Sequence, residues 1–159
     1  MTSLAPGDAA PDLTLETDSG DQFQLSAHRG RPVVLFFYPK DNTEGCTVEN
    51  LEFSQLAGAF DELGVAVLGI SPDSVETHCA FRDKHALKMP LAADPERLAI
   101  DAYGVWGEKK LYGRTFDGLH RTTFLIDADG KIASVWKVRR IKGHAQAVLD
   151  ATRDLTGQA

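Results

Sequence analysis

The residues of this sequence best suited to covalent chemistry are its two thiols, Cys46 and Cys79. Cys46 closes the run Pro39-Lys-Asp-Asn-Thr43-Glu-Gly45-Cys46, where an apolar segment gives way to a helical pattern. The first turn of a helix leaves N–H groups unpaired and presents the positive end of the helix dipole. Both favour a thiolate over a thiol, and the thiolate is the nucleophile. A free cysteine is more usually a small buried hydrophobe. A polar, glycine-containing turn between a strand and a helix is a poor place for that role and a good one for a reactive side chain. Cys79 lies inside a helical segment, where an inert buried thiol is equally expected.

Several other chemistries are excluded. A dithiol oxidoreductase needs Cys-x-x-Cys, and this chain has Cys46-Thr-Val-Glu49. A cysteine phosphatase loop would need arginine where His85 follows His78-Cys79. Two isolated cysteines do not make a zinc site, which takes about four closely spaced ligands. His78 and His120 read as packing or surface residues. No metal or cofactor is expected. Two cysteines in 159 residues are also not the framework of a secreted disulfide protein.

The elements around Cys46 follow from periodicity. Asp12 to Thr17 and Gln22 to Leu25 alternate about a Ser-Gly-Asp turn, which predicts an N-terminal hairpin. Val33 to Tyr38 is continuously apolar, as in a strand buried on both faces. Asn42 or Thr43 caps a helix predicted to reach Leu63, with Phe53, Leu56, Phe60 and Leu63 as its apolar stripe and Gly64 as its stop. Val65 to Ile70 is a second buried strand. Helix Val75 to Ala86, a short strand near Leu91 and a helix near Pro95 to Tyr103 follow. A long irregular segment is expected next. A hairpin of Arg121 to Ile126 and Ile132 to Val138, then helix His144 to Leu155, complete the chain. This order predicts an α/β sandwich: a central mixed sheet, helices on both faces, and a right-handed parallel crossover in the middle. Cys46 then lies beyond the C-terminal end of a central strand, where open α/β sheets place their sites.

The bulk composition agrees. Hydrophobic residues are 43 % of the chain, enough for a sizeable core, and 159 residues with no linker or repeat predict one domain over 1–159. A net charge of −6 argues against nucleic acid and against anionic membrane surfaces as partners. No apolar run approaches the ~20 residues that span a bilayer, and the N-terminus has no signal-peptide pattern. A cytoplasmic protein is expected.

Pro39-x-x-x-Thr43-x-x-Cys46 resembles the active-site signature of the peroxiredoxins. Tyr38-Pro-Lys-Asp-Asn-Thr, Gly45-Cys-Thr and Glu49 are similar to the bacterioferritin-comigratory, or peroxiredoxin Q, subfamily. So are Gly69-Ile-Ser-Pro-Asp-Ser-Val75, Tyr103-Gly-Val-Trp-Gly-Glu-Lys-Lys110, Arg121-Thr-Thr-Phe-Leu-Ile-Asp127 and Lys142-Gly-His144. The resemblance runs in order along nearly the whole chain. It implies a thioredoxin-like sandwich and a thiol-dependent peroxidase acting through a sulfenic acid on Cys46.

The resemblance also implies roles. Thr43 places its hydroxyl beside the sulfur, Arg121 holds positive charge there, Pro39 shields the sulfur from water, and Glu49 orients Arg121. On the residues alone, Thr43 is equally an N-cap, Arg121 equally a solvated strand residue and Glu49 equally a helix N-terminal charge. The thiolate cannot account for the rate by itself. A thiol of pKa ~8.5 is already a few per cent ionised at neutral pH, so full ionisation gains at most about thirtyfold. The remainder must come from groups that stabilise the breaking O–O bond.

Two positions depart from the subfamily. Glu44 stands where many relatives have proline, and its carboxylate mildly disfavours a thiolate. Leu51 stands where some relatives carry a resolving cysteine five positions after the first, which excludes that disulfide. Cys79, 33 positions beyond Cys46, is then either the resolving cysteine or a structural thiol. The expected partners are hydrogen peroxide or an alkyl hydroperoxide, and thioredoxin or another thiol reductant, for a monomer or weak homodimer. A redox-sensing domain with weak turnover is the alternative.

Overall fold

Alternation along one strand divides the core in two. A computed structural model describes residues 2–157. In it β3 (Val33–Phe37) is buried at every position. Val33, Leu35 and Phe37 pack into one apolar cluster, and Val34 and Phe36 into another on the opposite face, as a period of two requires. The sheet has seven strands in the order β2-β1-β5-β4-β3-β8-β9. The remaining strands are β1 (Thr14–Thr17), β2 (Gln22–Gln24), β4 (Ala66–Ser71), β5 (Leu91–Ala93), β8 (Thr122–Ile126) and β9 (Ile132–Lys137). β4 runs parallel to both β3 and β5, while β1–β2, β1–β5, β3–β8 and β8–β9 are antiparallel. The sheet is therefore mixed, with the expected N-terminal hairpin at one edge.

The helices α1 (Glu44–Gln55), α2 (Ala57–Glu62), α3 (Val75–His85) and α5 (His144–Thr156) cover one face through Phe53, Phe60, Phe81 and Val148. The short α4 (Leu98–Ala102) covers the other through Ala99 and Ile100, beside Tyr103. Phe36 stacks on Phe53 of α1 with ring centroids 4.3 Å apart. Gly69 of β4 makes room for this: a Cβ there would meet the Phe36 ring at 2.7 Å.

Three expectations need correction. The helix predicted to reach Leu63 is two helices, broken at Leu56, whose N–H is shared between the Glu52 and Phe53 carbonyls. Phe53 and Phe60 stay buried across the break, so the apolar stripe survives while the backbone does not continue. The helix near Pro95 to Tyr103 begins only at Leu98, where Asp94 accepts from the Leu98 and Ile100 N–H groups. The segment expected to be irregular is a two-stranded antiparallel ribbon of β6 (Trp106–Leu111) and β7 (Arg114–Leu119). Tyr112 and Gly113 join its strands with φ of 52° and 75°, the paired positive values of a tight hairpin turn.

Candidate active site

The chain leaves β3 at Phe37 and enters α1 at Glu44 through a short loop. Asn42 takes a left-handed φ of 65°, a conformation asparagine tolerates, and Thr43 is the N-cap. The Thr43 hydroxyl makes no capping bond; it donates to the Lys40 carbonyl at 2.8 Å, closing the loop on itself. The helix ladder begins with the Thr47 N–H donating to the Thr43 carbonyl. The N–H groups of Glu44, Gly45 and Cys46 precede that ladder, so Cys46 sits at the positive end of α1.

A buried polar frame anchors this loop from behind. Tyr38 donates from its hydroxyl to Asp41 Oδ1 at 2.6 Å, and His78 Nδ1 of α3 lies 2.6 Å from Asp41 Oδ2. The other ring nitrogen of His78 lies 3.0 Å from the Ala92 carbonyl on β5. The Asp41 N–H and the Ser71 hydroxyl both donate to Asp73 Oδ2. Asp41, His78 and Asp73 could together offer three ligand atoms to a metal, but their hydrogen bonds to one another and to Tyr38 and Ser71 already account for the cluster. His78 is thus a packing residue, as its sequence setting implied, but one buried in hydrogen-bond contact with Asp41 and the Ala92 carbonyl.

Cys46 is 1 % exposed and lies in the apolar cluster under α1. Arg121, immediately before β8, reaches it across the fold. Its Nη2 donates to Cys46 Sγ at 3.3 Å and its Nη1 to Glu49 Oε1 at 2.6 Å. Glu49 is one turn along α1 from Cys46, so a single guanidinium bridges two positions on one helix face. Burial opposes the Arg121 charge, but Glu49 and Cys46 beside it more than offset this and hold the guanidinium protonated. Burial also raises Glu49 to about 7 against the opposing pull of Arg121, and Glu49 Oε2 has no hydrogen-bond partner among the described residues. His144 at the start of α5 is lowered to about 4 by burial and by Arg121, and its Nε2 meets the Thr123 hydroxyl at 2.8 Å.

Gly45 is packed closely between two side chains. A Cβ there would stand 2.8 Å from Ile141 Cδ1 and 3.4 Å from Arg121 Nη2. Pro39 is half-buried and lines a cavity of about 420 Å3 with Lys109, His120, Arg121, Lys137, Val138 and Arg139. The fold thus brings Cys46, Arg121 and Glu49 into direct contact and sets Pro39 beside Arg121. Thr43 is near in sequence but its hydroxyl is engaged with Lys40. Cys79 lies elsewhere: half-buried on α3, its Sγ donates to the Asp18 carbonyl at 2.9 Å in the β1–β2 turn. Neither the Asp41–His78 pair nor the ribbon residue Lys109 was singled out from the sequence. The spacing Tyr38-x-x-Asp41 held no signal without knowledge of which helix returns to it.

A cysteine opening a helix after a central strand, with a guanidinium on its sulfur, defines a thiol redox protein on a thioredoxin-like sheet. The AhpC/TSA family matches residues 6–135, and the chain belongs to it as a peroxiredoxin, a thiol-dependent peroxidase. It is 40 % identical to peroxiredoxin Bcp of Bacillus subtilis over 94 % of this chain and 96 % of the relative. The corresponding Escherichia coli protein is also 40 % identical, with the same coverage of both chains. The structure of Xanthomonas campestris peroxiredoxin Q superposes with a TM-score of 0.87 at 39 % identity, covering 98 % of each chain. A second X. campestris structure, of a bacterioferritin comigratory protein described for its alkyl peroxide reduction activity, gives 0.87 at 38 % identity, covering 98 % of this chain and 99 % of the other. The family takes a peroxide as oxidant and a thiol as reductant.

Proposed function

We propose that Cys46 is the peroxide-attacking residue and that Arg121, Glu49, Thr43 and Pro39 complete its site. The observation that carries this is the Arg121 guanidinium, bonded to Cys46 Sγ and Glu49 Oε1 together. The Cys46 thiolate attacks one peroxide oxygen; the S–O bond forms as the O–O bond breaks, and the departing oxygen leaves as an alcohol or water after taking a proton. The sulfur ends as sulfenic acid. Arg121 stabilises the negative charge that moves from sulfur to the leaving oxygen, which is where fixed charge acts most strongly. Glu49 fixes the plane of the guanidinium. The Thr43 hydroxyl donates its hydrogen bond to the Lys40 carbonyl and keeps its lone pairs for the O–H of a peroxide. Pro39 closes one wall and lacks an N–H that would draw water in.

A thiol then attacks the sulfenic acid, releasing water and forming a disulfide, which thioredoxin or another dithiol reduces. We assign the resolving role to Cys79 on the ground that it is the one other thiol in the sequence. The substrate is hydrogen peroxide or an alkyl hydroperoxide, a reading supported by the activity described for the X. campestris relative. The chain acts as a single domain, as a monomer or weak homodimer. A cytoplasmic setting belongs to this reading, and the net charge of −6 argues against nucleic-acid and anionic-membrane partners; none of its described helices is long and apolar enough to cross a membrane.

Cys46→Ser tests the assignment, because a serine hydroxyl is not ionised at neutral pH. Peroxide consumption with a thiol donor should fall to background in Cys46→Ser while the first turnover survives in Cys79→Ser. Retention of most activity in Cys46→Ser would refute it. Steady-state turnover in the native sequence also separates an enzyme from a redox sensor that reacts once.

A further inference from the structure

Asn50 is a buried amide that attack on the peroxide does not use. It lies on the buried side of α1 with Cys46, Glu49 and Phe53, and it is 0 % exposed. Its Nδ2 donates to the Cys46 carbonyl at 2.9 Å, one turn back. The helical ladder assigns the Asn50 N–H to that same carbonyl, so both nitrogens of one residue hold Cys46. Its Oδ1 has no hydrogen-bond partner among the described residues. A buried amide with one half unpaired stabilises a fold no better than an apolar side chain of the same shape. The bond this amide does make is therefore its distinctive contribution, and that bond is to the reactive turn. Thr47 makes a similar one, its hydroxyl donating to the Thr43 carbonyl at 2.7 Å. Thr47 is only half-buried, so water replaces its bond when the turn opens. Asn50 stays behind in the packed part of α1 beside Phe53, and opening leaves its Nδ2 buried without an acceptor.

We propose that Asn50 is a positioning residue for the second half of the reaction: it holds the first turn of α1 closed over the sulfenic acid and so sets how long that acid persists. The inference rests on Cys46 being the peroxide-attacking residue. With the turn closed, Cys46 is 1 % exposed, and a thiol cannot approach its sulfur. With the turn open, a thiol sulfur attacks the sulfenic sulfur, the S–O bond breaks, water leaves and a disulfide remains. A second peroxide competes for the closed form. A second S–O bond then forms as the O–O bond breaks, water or an alcohol leaves, and Cys46 ends as sulfinic acid. By favouring the closed turn, Asn50 shifts this competition away from the disulfide.

The test is made in a Cys79→Ser parent, so that no second thiol of the chain intervenes. One equivalent of hydrogen peroxide forms the sulfenic acid. Excess thionitrobenzoate, a bulky aromatic thiol, then consumes it, and the loss of its absorbance gives the rate. Asn50→Leu keeps the side-chain shape and removes the donor. It should speed this consumption on the order of fivefold over the parent, the worth of one such bond. The rate of the first oxidation should stay close to that of the parent, and the urea midpoint should be unchanged or raised. Asn50→Ala should give a similar acceleration, so the outcome does not hang on the folding of one variant. Thr47→Val should react like the parent. With excess peroxide present, mass measurement should find a smaller share of sulfinic acid in both Asn50 variants. Sulfenic acid consumed at the parent's rate in both would overturn the proposal and leave the Cys46 assignment intact. Faster consumption matched by a fall in the urea midpoint would reduce Asn50 to a contributor to global stability, and would overturn it too. Absence of any sulfenic acid on Cys46 would overturn the assignment and the proposal together.

Discussion

At the residue scale the site is organised around one long side chain. Cys46 was legible in the sequence because a thiol, a preceding glycine and a polar turn are local features. Arg121 is 75 positions away and is placed at the sulfur only by the antiparallel pairing of β3 with β8. This division predicts how variants should behave. Arg121→Ala and Thr43→Val should each slow reaction with peroxide by well over the roughly thirtyfold that thiol ionisation can explain. Stopped-flow measurement at a pH where Cys46 is fully ionised isolates that loss; rates equal to the native sequence under those conditions would contradict the transition-state argument. Gly45→Ala is the control. Its Cβ would press only on the far end of the Ile141 side chain, which can move, and would stand in ordinary contact with Arg121 Nη2. Peroxide reactivity and the urea midpoint should therefore both stay close to those of the native sequence.

At the element scale the strands were read well and the connections less so. β3 and β4 are short, β-branched-rich apolar runs buried on both faces, and Pro39, Gly64 and Pro72 bound them at strand length. The β6–β7 ribbon is largely exposed, so it lacks the alternation that marks a half-buried strand. The Leu56 break was hidden because the apolar stripe continues through it. Also hidden was what fastens α1 and α3 to the sheet. Asp41 and His78 are hydrogen-bonded with neither side chain exposed. An amide in place of the carboxylate leaves buried partners short of an acceptor, so Asp41→Asn should destabilise the fold by about 2 kcal/mol, read from urea unfolding. His144, at the start of α5, gives the fold a pH dependence. Its pKa is about 4 when folded, against 6.5 ordinarily. Below 6.5 the unfolded chain takes up a proton that the folded chain refuses, so stability is lost as pH falls from about 6.5 to about 4. The full loss is on the order of 3 kcal/mol. His144→Gln can still bond Thr123 but does not titrate, and its urea midpoint should fall less than that of the native sequence over that interval.

At the scale of the whole molecule the question is how two thiols with different neighbours could join. Cys46 faces Arg121 at the start of β8, and Cys79 faces Asp18 just after β1. The sheet order places β5, β4 and β3 between those strands, four spacings in all, or roughly 19 Å at ~4.8 Å each. A disulfide brings the two Cα atoms within ~7 Å, and each sulfur would have to leave the partner that holds it on its own side of the sheet. Resolution by Cys79 therefore requires the first turn of α1 and part of α3 to unwind after oxidation. Short polar segments open most readily, and the α1 start is one, with Thr43 and Glu44 exposed. α3 is held more firmly, by the Asp41–His78 pair, the Cys79–Asp18 bond and an Arg82–Asp18 ion pair. Loosening those ties without touching either thiol should speed disulfide formation. In Asp41→Asn the sulfenic acid should be consumed faster than in the native sequence, provided Cys79 is the resolving thiol. Mass spectrometry of protein treated with one equivalent of peroxide, denatured without reductant, decides the matter. A loss of two hydrogens that disappears in Cys79→Ser, and that accumulates faster in Asp41→Asn, supports resolution within the chain. Persistent sulfenic or sulfinic acid on Cys46, with Cys79 still free to alkylate, would instead make the chain a one-cysteine peroxidase that depends on an external thiol.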